Sequence, residues 1–197
     1  VGGEIQVNTF TEASQDNSEV AARSDGGFVI VWENNSGLDG NGDGVFQQRF
    51  DEDGVAVGSE VQVNEFVSGA QNDPYVIGLP GGGWVVSWTS SGGNDGSGSG
   101  VFAQRFAADG SLVDGEFQLN TESASTQDQS RLVNLSGDAF TAVWTSLTSG
   151  SAGDGSGRGV FQQIFDYGTN TSASDDPLLA GLGGSVELNE SDVNAAC

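Results

Sequence analysis

The sequence predicts an all-β protein built from three repeats of a four-stranded antiparallel sheet, arranged as propeller-like blades, with a three-sheet prism as the alternative. Three observations predict this. Trp32, Trp88 and Trp144 recur every 56 residues, each closing an apolar run (Phe28-Val29-Ile30-Val31-Trp32, Trp84-Val85-Val86-Ser87-Trp88, Phe140-Thr141-Ala142-Val143-Trp144); a fixed period of this size marks a repeat architecture. Short runs around these alternate apolar and polar residues, the period of a half-buried strand. No segment carries a helical period with caps.

In chain order, each repeat begins with an alternating run: Ile5-Gln6-Val7-Asn8, Val61-Gln62-Val63-Asn64 and Phe117-Gln118-Leu119-Asn120. Gln15, Gln71 and Gln127 follow at the same step. Next come apolar runs near Val20, Val76 and Leu132, then Asp- and Gly-rich turns, which supply the positive φ of tight hairpins. The tryptophan-terminated run follows; an unbroken apolar strand is expected where both faces are covered. Phe46-Gln47-Gln48-Arg49-Phe50, Phe102-Ala103-Gln104-Arg105-Phe106 and Phe161-Gln162-Gln163-Ile164-Phe165 form the last strand, with the phenylalanines and the central glutamine on one face. The repeats therefore span approximately 4–59, 60–115 and 116–170, within a β domain of residues 1–170. Residues 171–197 read as a linker and the start of a following module or tail.

The 28 acidic residues against 5 basic ones, all arginine, give a net charge of −23. Such a surface repels nucleic acid and anionic membranes, whose recognition depends on Lys and Arg clusters. No apolar run approaches the roughly 20 residues that span a bilayer, so membrane insertion is not expected, and no signal peptide is present. The absence of Met points to a processed chain or a fragment, and Cys197, the last residue and the only cysteine, permits no internal disulfide. Self-repulsion of this size favours bound cations or high ionic strength.

The loops before the last strand place oxygen-bearing side chains at alternate positions between glycines: Asp39-Gly40-Asn41-Gly42-Asp43-Gly44, Asn94-Asp95-Gly96-Ser97-Gly98-Ser99-Gly100 and Asp154-Gly155-Ser156-Gly157-Arg158-Gly159. A hard cation such as calcium needs several oxygens turned inward. Asp39, Asn41 and Asp43, then Asp95 and Ser97, are the candidate metal ligands; Arg158 replaces an oxygen in the third loop. The acidic residue that completes an EF-hand is missing, because Phe50 occupies its position. A solvated hairpin loop is the competing reading.

The tryptophans and paired phenylalanines are read as core. The rival reading is a platform for sugar rings, for which Trp84 is the candidate, since Phe28 and Phe140 stand at the equivalent positions. Gln48, Gln104 and Gln163 lie on the phenylalanine face, where a buried amide must find a hydrogen-bond partner, either an adjacent strand's backbone or a ligand. With no His, no Lys and one terminal Cys, the usual nucleophile–base pairs cannot be built. Paired carboxylates for glycoside hydrolysis are available, but none is read as a unique acid with apolar flanks. The chain is therefore expected not to be an enzyme.

The unit Asp-Gly-Gly-Phe-Val-Ile-Val-Trp, followed by Asp-Gly-x-Gly-x-Gly-Val-Phe-x-Gln-Arg-Phe-Asp and Gly-x-Glu-x-Gln-Val-Asn, resembles the tandem repeats of very large secreted calcium-binding proteins of the RTX-adhesin type from Gram-negative, often marine, bacteria. The likeness covers residues 4–166. Residues 182–196 resemble the start of a cadherin-like module that often follows such repeats. The resemblance implies an extracellular, cell-surface protein of which this chain is one module; the Gly-Gly-x-Gly-x-Asp calcium nonapeptide of RTX proteins is absent.

Together these readings predict a non-enzymatic binding or adhesion module, calcium-stabilised, whose partner is a glycan or a cell-surface protein. A structural spacer or self-assembly unit is the alternative. Three blades alone do not close a propeller, which typically has 4–8, so the missing blades are expected either from a second copy, in a homo-oligomer completing the blade ring, or from further sequence.

Overall fold

The computed structural model describes residues 3–135, 139–148 and 157–166. The strands are β1 (Gln15–Ala22), β2 (Phe28–Asn34), β3 (Gly44–Phe50), β4 (Ala56–Gln62), β5 (Gln71–Gly78), β6 (Trp84–Ser90), β7 (Gly100–Phe106), β8 (Leu112–Gln118), β9 (Thr126–Asn134), β10 (Ala139–Thr148) and β11 (Gly157–Asp166). They form antiparallel meanders in the orders β1-β2-β3-β4, β5-β6-β7-β8 and β9-β10-β11. The fold is all-β, as expected, and the third sheet has three strands among the described residues. The predicted linker and tail lie outside them.

The alternating runs do not open the sheets. Gln62 pairs with Phe46 and Gln118 with Phe102, so each run closes the preceding sheet as its outer strand. The reason is local: Asp51 Oδ1 accepts the backbone N–H groups of Asp53 and Val55, forming a turn tight enough to return the chain beside β3. Residues 4–8, which carry the same pattern as residues 60–64, form no strand.

The sheets stack face to face through opposite faces. Val29, Val31 and Val45 of the first sheet pack on Val76, Trp84, Val86, Trp88, Phe102 and Phe106 of the second. The other face of the second sheet, with Val85, Val101 and Ala103, packs on Leu132, Phe140, Ala142, Trp144 and Phe165. A prism would turn the same face of every sheet to a common centre; this packing is that of propeller blades. Every residue of β6 and β7 is buried, as a doubly covered strand requires. In β2, Phe28 and Ile30 are only half-buried, because they lie on the first sheet's outward face.

The first strand of each sheet is the inner one: β1 packs beside β5, and β5 beside β9. Neighbouring sheets are also laced by backbone. Gln71 N–H donates to Asp43 O at 2.8 Å, and Gln127 N–H to Ser99 O at 2.7 Å. A Cβ on Gly42 would lie 2.6 Å from Gly69 O, and one on Gly98 would lie 2.1 Å from Ser125 O, so these loop glycines are needed where one sheet's loop meets the next sheet.

Candidate functional site

The inner strands are broken by a bulge at the same place in every repeat. Asn17, Asp73 and Gln129 have φ of 51°, 51° and 59°, at the register shifts where β1 meets β2, β5 meets β6 and β9 meets β10. Asn and Asp tolerate the left-handed region better than most residues, which suits the first two positions. A bulge re-aims side chains and frees backbone groups from the ladder. Here the freed N–H groups reach across to the preceding sheet: Asp73 N–H donates to Glu33 Oε2 at 3.2 Å, and Gln129 N–H to Thr89 Oγ1 at 3.3 Å.

Glu33 breaks the repeat chemically. Its equivalents are Thr89 and Thr145, and it ends the apolar strand Phe28 to Trp32. It is only 6% exposed and also accepts from Asn17 Nδ2 at 2.6 Å. Burial holds its carboxyl above the ordinary carboxylate value of 4.5; the hydrogen bonds from Asn17 and Asp73 pull the other way, and the nearby charges of Asp73 and Asp43 push it up again. Asn17 and Asp73 also line a groove of about 220 Å³ with Ser18, Glu19, Pro74 and Arg131. The guanidinium of Arg131 lies 5.0 Å from the centre of the Tyr75 ring. Two carboxylates, Glu19 and Asp73, and the cation of Arg131 thus share one groove at the inner strands, and the buried Glu33 meets it through its hydrogen bonds with Asn17 and Asp73.

The predicted site residues fall elsewhere. Trp84 is fully buried, stacked on Phe106 at 5.2 Å and hydrogen-bonded through Nε1 to Gln47 Oε1 at 2.7 Å, so it offers no ring face to a sugar. Gln48 and Gln104 are buried and donate to backbone carbonyls, Gln48 to Arg49 O at 2.9 Å and Gln104 to Arg105 O at 2.9 Å, where β4 and β8 bulge. Gln163 is buried at 7% exposure, and its carbonyl accepts from Thr141 Oγ1. These side chains serve the packing of the sheets.

In the first loop, Asp39 Oδ1 accepts the Asn41 N–H at 3.1 Å, and Oδ2 accepts from Asn64 Nδ2 at 3.3 Å. In the second, Asp95 Oδ1 accepts the Ser97 N–H at 3.0 Å, while Oδ2 is buried with no donor among the described residues. That orphaned oxygen fits a cation, whereas both oxygens of Asp39 are engaged, by Asn41 of its own loop and by Asn64. No group of three or more His, Cys, Asp or Glu side chains converges as a metal site among the described residues. Asp154 and Ser156 of the third loop lie outside them, and Arg158 is held by Asp128 through contacts of 2.6 and 2.9 Å.

Glu33 was not singled out from the sequence, where the acids were weighed for one that is unique and flanked by apolar residues; Glu33 lies between Trp32 and the polar Asn34. The signal was there: one carboxylate where the other two repeats carry threonine.

No protein-family model matches the chain, and no curated protein does. Among solved structures it is similar to an endo-arabinase from Bacteroides thetaiotaomicron VPI-5482, at 13% identity and a TM-score of 0.46, over 67% of this chain and 51% of that one. It is also similar to a levansucrase variant from B. megaterium, at 11% identity and a TM-score of 0.42, over 76% of this chain and 46% of that one. The chain thus spans about half the length of each. Both are β-propeller enzymes, and at such identities the likeness speaks to the fold. Both are carbohydrate-active enzymes, a finding that stands against the expectation of a non-enzymatic binding or adhesion module and its structural-spacer alternative.

Proposed function

We propose that the inner-strand groove is an acid–base site that processes glycosidic bonds. The observation that carries this reading is Glu33: a buried carboxyl with a raised pKa, hydrogen-bonded to Asn17 and Asp73 of a groove that also presents Glu19 and Arg131. Two neighbouring carboxyls in unlike surroundings divide the roles of acid and base. Glu33, whose pKa is raised by burial, donates the proton to the leaving oxygen. Asp73, which lines the groove, is the partner carboxyl. Asn17 and Arg131 bind sugar hydroxyls.

The test is turnover on a panel of polysaccharides and nitrophenyl glycosides by the native protein, Glu33→Gln and Asp73→Asn. Loss of a proton-transferring group lowers the rate by roughly 10²–10⁴-fold, and both variants should show it while keeping the native circular dichroism. Absence of turnover across the panel at high protein concentration, or turnover unchanged in Glu33→Gln, overturns the reading.

An extracellular setting goes with this proposal, supported by the resemblance of the repeats to secreted surface proteins. Calcium is proposed as a stabilising ion at the loop of Asp95 and Ser97, supported by the unpartnered Asp95 Oδ2 and by a donor set made only of oxygens.

A further inference from the structure

We propose that residues 5–8 of one copy of this chain add as the outer strand to β11 of a second copy, so that two copies close head to tail into a ring of six sheets. The two sheet junctions within the chain provide the template. In the first junction, Val63 N–H donates to Val45 O at 2.8 Å and Val45 N–H donates to Asn64 Oδ1 at 2.9 Å. In the second, Leu119 N–H donates to Val101 O at 2.8 Å and Val101 N–H donates to Asn120 Oδ1 at 2.9 Å. Each asparagine also turns its amide to the first glutamine of the next sheet, Gln71 at 3.1 Å and Gln127 at 3.0 Å.

The start of the chain already forms the downstream half of that junction. Asn8 Nδ2 donates to Gln15 Oε1 at 2.7 Å and to Phe10 O at 2.7 Å. Asn64 does the same to Gln71 and Phe66, and Asn120 to Gln127 and Glu122. Glu60 Oε2 accepts the N–H groups of Thr9 and Phe10 at 2.7 and 3.4 Å, as Glu116 Oε2 accepts those of Glu65 and Phe66 at 2.9 and 3.2 Å. Residues 8–10 are therefore seated on the first sheet as residues 64–66 are seated on the second. What is missing is the strand that residues 5–8 would extend.

The end of the described chain forms the upstream half. β11 is the edge of its sheet, with no fourth strand among the described residues. Val160, the equivalent of Val45 and Val101, is 45% exposed, where those two are 0% exposed. Val7 is half-buried, whereas its equivalents Val63 and Leu119 are each 1% exposed. A groove of about 350 Å³ lies between Val7, Asn8, Gln15, Ile30 and Trp32. In the first junction the corresponding cluster of Val63, Val86 and Trp88 is completed by Val45. The template thus sets Val160 in this groove, its N–H on Asn8 Oδ1 and its carbonyl on Val7 N–H, with Gln162 paired to Ile5.

Among the described residues the two halves do not meet. β1 and β9 are not packed against one another, so the three sheets form an open arc with the two halves at its ends. Two such arcs give six sheets, within the usual range for a propeller, through a head-to-tail contact that closes on itself. Strand addition to an unpaired edge is a common mode of recognition and also removes that edge.

The test is the solution mass of the full chain with two sets of variants. The native protein should sediment at twice the chain mass, and Val7→Asp at the single-chain mass with unchanged circular dichroism. In a Cys197→Ser background, mixing separately purified Ile5→Cys and Gln162→Cys under mild oxidation should give a covalent dimer of one copy of each; neither variant alone should. The cysteine arm holds even if Val7→Asp fails to fold. A single-chain mass at every concentration with no mixed disulfide overturns the proposal; this is the outcome if the chain's own residues beyond 166 cover β11. A ladder of larger oligomers overturns the closed pair.

Discussion

Trp84 Nε1 donates to Gln47 Oε1 at 2.7 Å across the junction of the first and second sheets, with both side chains buried. Arg23 and Arg49 place their guanidinium carbons 5.2 and 5.8 Å from the centre of the same indole. A tryptophan that stands where the other repeats carry phenylalanine is thus matched by a polar partner on the facing sheet. Leaving a buried donor unpaired costs about 1–3 kcal/mol, so Gln47→Leu should lower unfolding free energy by that amount. Gln47→Leu combined with Trp84→Phe should be less destabilised than the two single losses added together. Urea denaturation of the four proteins closes the cycle; strict additivity would show that the bond contributes nothing.

Asn64 joins three segments through one amide: Val45 N–H, Phe66 O and Gln71 Oε1. Asn64→Ala should destabilise by roughly 3 kcal/mol, since it strands more than one buried group at about 1–3 kcal/mol each. Asn64→Asp keeps the acceptor for Val45 but loses the donors, and should fall between. Equal unfolding midpoints for native protein and Asn64→Ala would contradict this.

Glu33 makes stability depend on pH with a definite sign. Its folded-state pKa is raised above 4.5, so the folded protein binds that proton more tightly than the unfolded chain. The associated stability is fully present below the unfolded value and is lost as pH rises through the folded one. Glu33→Gln keeps an oxygen for Asn17 and Asp73 without the charge. Its stability relative to native protein should therefore rise as the pH is raised from the ordinary carboxylate value through the higher folded-state one. Urea midpoints of the two proteins across that range provide the measurement, and a constant difference would exclude the role of burial.

Calcium should raise the melting temperature by several degrees beyond sodium chloride of matched ionic strength, because ion binding to the folded state adds stability that screening alone does not. Asp95→Asn should lose most of this extra shift, since it removes the charge of the carboxylate whose Oδ2 is unpartnered. If sodium chloride reproduces the whole effect, the loops act only as turns.

Local periodicity made the strands and the number of repeats legible in the sequence. The spacing of Trp32, Trp88 and Trp144 and the alternation around Phe46 and Phe102 depend only on which residues must face inward, and a strand declares this every second residue. Partnership was not legible in that way. Whether Val61-Gln62 opened one sheet or closed another depended on the Asp51 turn that returns it beside β3. The same Asp-and-Gly loop composition serves ion binding and close approach alike, and only the contact of Gly42 with Gly69 O shows the second use. Glu33 was visible as an acid among threonines, but its chemistry was not. Its raised pKa comes from burial, which outweighs the hydrogen bonds from Asn17 and Asp73, and that burial depends on the second sheet stacking on the first.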